Sequence, residues 1–386
     1  MYKREIKNIP YSGYYINSYV IIDDDEQYVA VACDFLLDMA ISGVPQRTTQ
    51  RSCASDLIAF FSQLHSIKNI DSTFPSDYRE ASESDLDAHL IGNLFQRKDL
   101  SPQSVIRHAA TLNKFFKFAY EHGYMHYKIR WSPRNKLPDK FTLIDESMSR
   151  IGRQYIEKEV FEEILLPNIS AKSSFKRARD ELALKLGYYA GLRTHELVLK
   201  DNFSINRLKT ILPKNSKISG DNHISIKGKG SKIRRLPLHP ELVSSLYEFV
   251  YGHLSNKCKN HIFEDGNGNR LVDEQYGSDV FSNSVKNYLS QNRVNEGDRT
   301  SLKNKRFHSL RHTYATNAVT FCNDVDSKYN PRWAVTQWMG HATEETTEIY
   351  ICYEAVKNNR FDILDTMKLS RVKFPKSLNG GNEFDS

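Results

Sequence analysis

No apolar run in this chain approaches the roughly 20 residues that a membrane span requires, and no charged-then-apolar leader opens it. A soluble intracellular protein with no membrane partner is therefore expected. Cysteine is sparse as well. The five thiols Cys33, Cys53, Cys258, Cys322 and Cys352 lie far apart, form no CxxC pair and are odd in number, which argues against a disulfide framework and a zinc cluster. His308 and His312 stand at the i, i+4 spacing of a zinc pair, but Ser309 occupies the place where His-Glu-x-x-His needs glutamate. No third ligand follows at a suitable spacing and no paired acidic motif suggests magnesium. Neither a metal nor any other cofactor is expected.

What is present is length and unevenly spread positive charge. The 386 residues are enough for two sizeable cores. A net charge of +7 favours a polyanionic partner only weakly. Its distribution says more: between residues 171 and 240, sixteen Lys or Arg face five Asp or Glu, a surplus larger than that of the whole chain. A solvated face is the ordinary reading of such a run. With Arg193 and Lys229 inside it, a phosphate-binding surface is the better one.

The periodicity predicts a mainly α-helical chain with a small antiparallel β-sheet in its second half. Residues 1–45 read as an N-terminal extension, uninformative apart from an apolar helix over Tyr28 to Ile41 stopped by Gly43. Residues 46–130 read as a small helical domain, which the resemblance described below makes the core-binding, DNA-binding one. Leu57, Phe60, Phe61 and Leu64 follow helical spacing, and a second amphipathic helix runs from Pro102 to Gly123 with Phe115 and Phe116 in its stripe. These aromatics belong to a core. Arg107, Lys114 and Lys117 project from other faces as candidate phosphate contacts. Residues 131–150, with Pro133 and Pro138, read as a linker, and 371–386 as a tail. Between them lies a second domain over 151–370, the one that carries the catalytic candidates below.

Within that domain, the apolar stripe from Ser173 to Ala190 leads into Gly191-Leu192-Arg193-Thr194-His195-Glu196-Leu197, placing Arg193 at a corner between helices. Two short runs, His223 to Ile226 and Ile233 to Leu238, flank Lys227-Gly228-Lys229-Gly230-Ser231-Lys232, the pattern of a hairpin with Lys229 at its tip. Helices follow over His308 to Phe321, Arg332 to Met339 and Glu344 to Tyr353, with Gly340 between the last two.

A phosphodiester carries negative charge that grows on its non-bridging oxygens in the transition state, so it must be neutralised before a nucleophile can attack. Two guanidiniums do this without a metal, and Arg193 and Arg311 are the candidates. Glu196, three residues beyond Arg193, is either its holding partner or an ordinary helix acid. Tyr350 stands nine residues after His341 and is the candidate nucleophile. A phenol with a pKa near 10 needs a base or strong cationic surroundings, and His308 is a candidate for the first. The leaving oxygen needs a proton, for which an ammonium on a mobile hairpin tip is suited. Tyr353 is a rival nucleophile, and Lys227 and Lys232 flank the candidate acid.

The ordered set Arg193, Lys229, His308, Arg311, His341 and Tyr350 resembles the tyrosine recombinases, the family of phage-type integrases that cut and rejoin DNA through a phosphotyrosine. Each motif alone is weak; together and in this order they are strong. The resemblance implies two domains closing around duplex DNA as a C-shaped clamp, Lys229 as the general acid, and His341 donating a hydrogen bond to the scissile phosphate. It further implies a 3′-phosphotyrosyl link with release of a 5′-hydroxyl, in a tetramer on two DNA sites and without ATP. The apolar face Phe361, Ile363, Leu364 and Met367 would pack onto a neighbouring protomer, as the resemblance implies, or onto its own domain, and accessory DNA-bending or partner recombinase proteins are further candidate partners. Lys227, Lys232, Arg234 and Arg235 join the candidate DNA contacts, and the expected location is the cytoplasm, on the nucleoid. The alternatives are a type IB topoisomerase-like enzyme that reseals its own strand and a non-catalytic DNA-binding relative.

Overall fold

Two residues in the left-handed region, Ser12 (φ 45°) and Gly13 (φ 84°), turn the chain between strands β1 (Tyr2–Tyr11) and β2 (Tyr14–Ile22). The strands pair antiparallel from Tyr2 with Ile22 to Tyr11 with Tyr14, and an irregularity between Ile6 and Ile9 interrupts the register. Asn8 sits in that irregularity with φ 57°, its N–H donating to Asn17 Oδ1 at 2.8 Å. The computed structural model describes residues 1–67, 77–132, 137, 140–171, 173–212, 214, 223–228, 230, 232–291, 294–324, 329–360 and 362–363. Lys229, Phe361, Leu364, Met367 and the tail 371–386 lie outside the described residues.

The chain divides into two compact units, Met1–Leu143 and Ile144–Ser386. In the first, β2 and helix α1 (Ala30–Ile41) bury Tyr19, Ile21, Phe35 and Leu36 in the same cluster as helices α2 (Arg51–Ile67) and α4 (Pro102–Glu121). The segment read as an extension thus contributes β2 and α1 to this unit's core. Exposed Tyr14 and Tyr15 at the start of β2 obscure the in-out alternation that would have marked a strand. A short helix α3 (Glu83–Asp87), capped by Ser82, and a wider helical stretch over Ala88–Arg97 complete the unit. Ser101 caps α4, and Gly123 stops it at φ 77°. Along these helices the aromatics pack as their spacing predicts. Phe60 meets Phe116 at 5.7 Å and Phe61 meets Phe115 at 5.6 Å between centroids, both edge to face.

The stretch read as a linker holds helix α5 (Lys140–Gln154). Ile144, Met148 and Ile151 are buried at helical spacing in the second unit's core, a stripe that the surrounding charge hides in the sequence. Ser173 caps α6 (Ser174–Ala190), which is followed by α7 (Thr194–Val198) and α8 (Ile205–Ile211). The hairpin β3 (His223–Lys227) and β4 (Ile233–Pro237) pairs antiparallel from His223 with Pro237 to Lys227 with Ile233. Then come α9 (Pro240–Val250), α10 (Tyr276–Leu289), α11 (Glu296–Lys303), α12 (Phe307–Asp324), α13 (Pro331–Met339) and α14 (Glu345–Lys357). Helix α12 runs through the middle of this unit, packed by α6, α13 and α14. The chain is mainly helical with small antiparallel sheets, as the periodicity implies.

Candidate active site

The side chains singled out in the second unit enter one region from helix ends and from two facing helices. Helix α6 ends at Gly191, whose φ of 60° suits glycine, and a Cβ there would come within 2.4 Å of the Tyr314 ring. The turn brings Arg193 to the start of α7 in an extended conformation. Its backbone N–H donates to Glu196 Oε2 at 2.8 Å, and its Nη1 reaches Glu196 Oε1 at 3.3 Å.

Glu196 is fully buried, and a second guanidinium grips it more closely: Arg234 of β4 donates to both carboxylate oxygens, at 2.5 and 2.7 Å. Burial alone would raise the pKa of Glu196, but the hydrogen bonds and charge of Arg234, with the Arg193 N–H, hold it near 2. Arg234 was expected as a DNA contact. It is instead 8% exposed and committed to Glu196, fastening β4 beside the hairpin turn to the Arg193 corner.

Arg311 projects from α12 and is 2% exposed. Its Nη1 donates to the Gly191 carbonyl and its Nη2 to the Met339 carbonyl, so it ties the ends of α6 and α13 together. Burial first, then the charges of Arg193 and Arg234, lower its pKa to about 9. Against three guanidiniums there is one buried carboxylate. The pocket carries a positive excess that an anion would relieve.

Gly340 ends α13 at φ 61°, with Arg234 Cδ 3.1 Å from where its Cβ would stand, and His341 follows. His341 Nδ1 meets the Thr347 hydroxyl at 2.9 Å, and Thr347 in turn meets Thr336 at 2.7 Å. With Nδ1 engaged, a hydrogen bond to substrate falls to Nε2. Tyr350 lies on α14, 7% exposed, its ring stacked beside His341 with centroids 5.9 Å apart. Burial raises the pKa of its phenol, while the charges of Arg311, Arg150 and Arg193 pull it down.

The ring in contact with the Tyr350 hydroxyl is that of His312, whose Nδ1 lies 2.9 Å from it. His308, expected as the base, stands edge to face with His312 at 4.8 Å between centroids. Enclosure, together with Arg311 and Arg193, lowers the pKa of His308 to about 4, and enclosure with neighbouring positive charge lowers His312 and His341 to about 3. All three are neutral imidazoles at neutral pH. Tyr353 takes a different direction. Its ring packs near Tyr155, 6.1 Å away, and burial, then Tyr155 and Glu157, push its pKa up.

The structure thus brings together Arg193, His308, Arg311, His341 and Tyr350, with Lys229 outside the described residues. Lys227 Nζ pairs with Asp201 at 3.1 Å, while Lys232 and Arg235 are exposed on the hairpin. Of the candidates in the first unit, Arg107 is paired with the buried Asp56, Lys117 lies 3.7 Å from Glu121, and Lys114 lines an open pocket with Arg107. Among the described residues, no three His, Cys, Asp or Glu side chains converge in a metal-holding set. No described helix is long and apolar enough to cross a membrane.

Three contributors escaped the sequence reading: His312 at the nucleophile's hydroxyl, Thr347 behind His341, and Arg150, whose charge acts on Tyr350 from α5. His312 left a signal, its i+4 spacing from His308, which puts both rings on one face of α12. That spacing first suggested a metal pair.

Residues 154–355 match the model of the phage integrase family. The tyrosine recombinase XerC of Chlorobaculum parvum is 24% identical over 320 residues, covering 79% of this chain and 84% of that protein. XerC of Leptospira interrogans is 27% identical over 191 residues, 49% of this chain and 51% of that protein. Among solved structures, the XerH site-specific recombinase bound to a palindromic difH substrate, in a post-cleavage complex, superposes with a TM-score of 0.54 at 19% identity. That match covers 86% of this chain and 82% of the other, a likeness of fold.

Proposed function

The chain belongs to the phage integrase family of site-specific tyrosine recombinases, and on that premise we propose that Tyr350 attacks a DNA phosphodiester to form a 3′-phosphotyrosyl link. The observation that carries this reading is the placement of the Tyr350 phenol against two neutral imidazoles, within the electrostatic reach of Arg311 and Arg193. The arginines receive the non-bridging oxygens. Their charge does two things at once, stabilising the phosphorane-like transition state and favouring the phenolate over the phenol. His341 donates from Nε2 to the phosphate, and His308 borders the same charged pocket. Glu196 and Arg234 hold Arg193 and the turn end of the hairpin in register.

Lys229 protonates the 5′ oxygen as it leaves. The partner strand's 5′-hydroxyl then attacks the phosphotyrosine and displaces Tyr350. The covalent link conserves the bond, so neither ATP nor a metal enters the scheme. The partner is duplex DNA. Exchange between two duplexes calls for a tetramer.

A nicked duplex carrying the recognition site should trap a covalent adduct, and peptide mapping should find the DNA on Tyr350. DNA on Tyr353, or an adduct that persists in Tyr350→Phe, would overturn the assignment. The same assay tests the acid. Lys229→Ala should impair cleavage of an ordinary site far more than of one with a 5′-bridging phosphorothiolate, whose leaving group needs no proton. Equal impairment on both would remove Lys229 from the role.

A further inference from the structure

The Tyr350 hydroxyl has a partner that neither the motif nor its expected base accounts for. His312 Nδ1 is 2.9 Å from it, across 38 residues of sequence, and the two rings lie 5.9 Å apart with planes tilted by 32°. A neutral imidazole offers one acceptor nitrogen, and in its Nε2–H tautomer that acceptor is Nδ1, facing the Tyr350 O–H. The phenol lone pairs are then turned away from His312.

We propose that His312 is the general base of strand cleavage: its Nδ1 takes the proton of Tyr350 as the phenol oxygen bonds to phosphorus, and gives it back when the strand is rejoined. The inference rests on Tyr350 being the nucleophile. Atoms and charges balance. The Oη–H bond breaks and the proton goes to Nδ1, the Oη–P bond forms, and the P–O5′ bond breaks with its electron pair leaving on the 5′ oxygen, which is protonated by the separate acid. In the reverse step the incoming 5′-hydroxyl gives its proton to that acid, now in its base form, its oxygen bonds to phosphorus, and the Oη–P bond breaks as the Tyr350 oxygen recovers the proton from His312.

The surroundings set the timing. The titratable and charged groups that act on the ring are Tyr350 and His341 from the α13–α14 side, Arg150 on α5, and His308 and Arg311 on its own helix. Enclosure and these cations disfavour an imidazolium in the empty site, while burial disfavours the phenolate. Proton transfer ahead of attack is therefore unfavourable. A bound phosphate brings the negative charge that offsets the cations, so the proton moves as the Oη–P bond forms and not before. His308, edge-on to His312 at 4.8 Å, is one ring removed from that proton.

The test is single-turnover cleavage of a suicide duplex across a pH series by the full chain and two variants, with DNA binding followed by mobility shift and folding by thermal melting. His312→Phe keeps a ring and removes the acceptor. His312→Asn keeps an acceptor near the Nδ1 position but cannot hold a proton. The expected result is a loss of roughly 10²-fold or more in His312→Phe at neutral pH. His312→Asn should recover part of it, with a rate that keeps rising with pH as hydroxide replaces the base. His312→Phe that binds DNA and cleaves within about threefold of the wild type would overturn the proposal, as would full recovery with an unchanged pH profile in His312→Asn, which would make the contact a matter of orientation alone. Should His312→Phe fail to fold, the asparagine variant decides by the same criterion. A wild-type adduct mapped to another tyrosine would instead remove the functional reading on which the proposal stands.

Discussion

Two buried carboxylates, one in each unit, are held by arginine in ways that lead to opposite ends. In the first unit Asp56 is fully buried and accepts from Arg107 Nη1 at 2.5 and 2.6 Å and from the Thr111 hydroxyl at 2.8 Å, with His108 Nε2 3.3 Å away. Burial keeps His108 toward its neutral form. In direct contact, one anion meets one cation. In the second unit Glu196 meets Arg234 and Arg193, with Arg311 close enough to feel both. Here the cations outnumber the anion three to one. A buried ion pair that balances is a structural device, whereas an unbalanced set of guanidiniums, each pinned by hydrogen bonds to carbonyls or to a single carboxylate, is a preformed seat for an anion.

The largest break in this comparison comes from removing one member of the excess. Arg311→Ala should lower cleavage by roughly 10²- to 10³-fold, the usual consequence of losing one preorganised donor to a developing oxyanion. Arg311→Lys should fall short of the wild type as well, since an ammonium does not span the Gly191 and Met339 carbonyls with a planar fork. Single-turnover rates measure both, and a rate in Arg311→Ala within threefold of the wild type would sink the anion seat.

Next in size is the stability of the two carboxylates. Glu196→Gln and Asp56→Asn each leave guanidinium charge without its anion, and each should cost on the order of 3–5 kcal/mol in chemical denaturation. Their effects on chemistry should part. Asp56→Asn should leave the cleavage rate of the folded, DNA-bound protein unchanged, while Glu196→Gln should lower it by loosening Arg193. Equal losses of rate would mean that the distinction between the two clusters is wrong.

The smallest effect is that of pH. The folded-state pKa of Glu196, about 2, lies below its ordinary value of 4.5, so its contribution to stability is fully present above about pH 4.5 and is lost as pH falls toward 2. The gap in stability between wild type and Glu196→Gln should close across that window. His308, His312 and His341 work in the same direction at higher pH. Their depressed values mean that the unfolded chain gains protons first, so stability should already decline as pH drops below about 6.5. Urea midpoints measured from pH 7 to 3 check both; a gap between the two proteins that stays constant down to pH 3 would contradict the assignment of charge to Glu196.

Much of this was legible in the sequence because it is written locally. Helix stripes such as Phe60, Phe61 and Leu64, and stops such as Gly43 and Gly340, are patterns over a few residues, and the structure realises them. The N-terminal hairpin was hidden because exposed tyrosines blur its alternation, and α5 because charge and proline surround its apolar stripe. Arg234 gave no sign of its burial. On a strand, a basic residue that faces the solvent and one that faces a buried carboxylate differ only by the parity of one position.

By itself, the sequence determined the helical class, the family and the short set of groups able to neutralise and attack a phosphate. Only the tertiary structure decided which of two neighbouring tyrosines points among the arginines, which of two histidines a turn apart meets its hydroxyl, and which arginine closes on Glu196. The reason is geometric. Residue type and spacing fix what a helix presents on each face, but the contact between His312 and Tyr350 joins two helices far apart in the chain. It depends on how α12 and α14 are rotated against each other in the core.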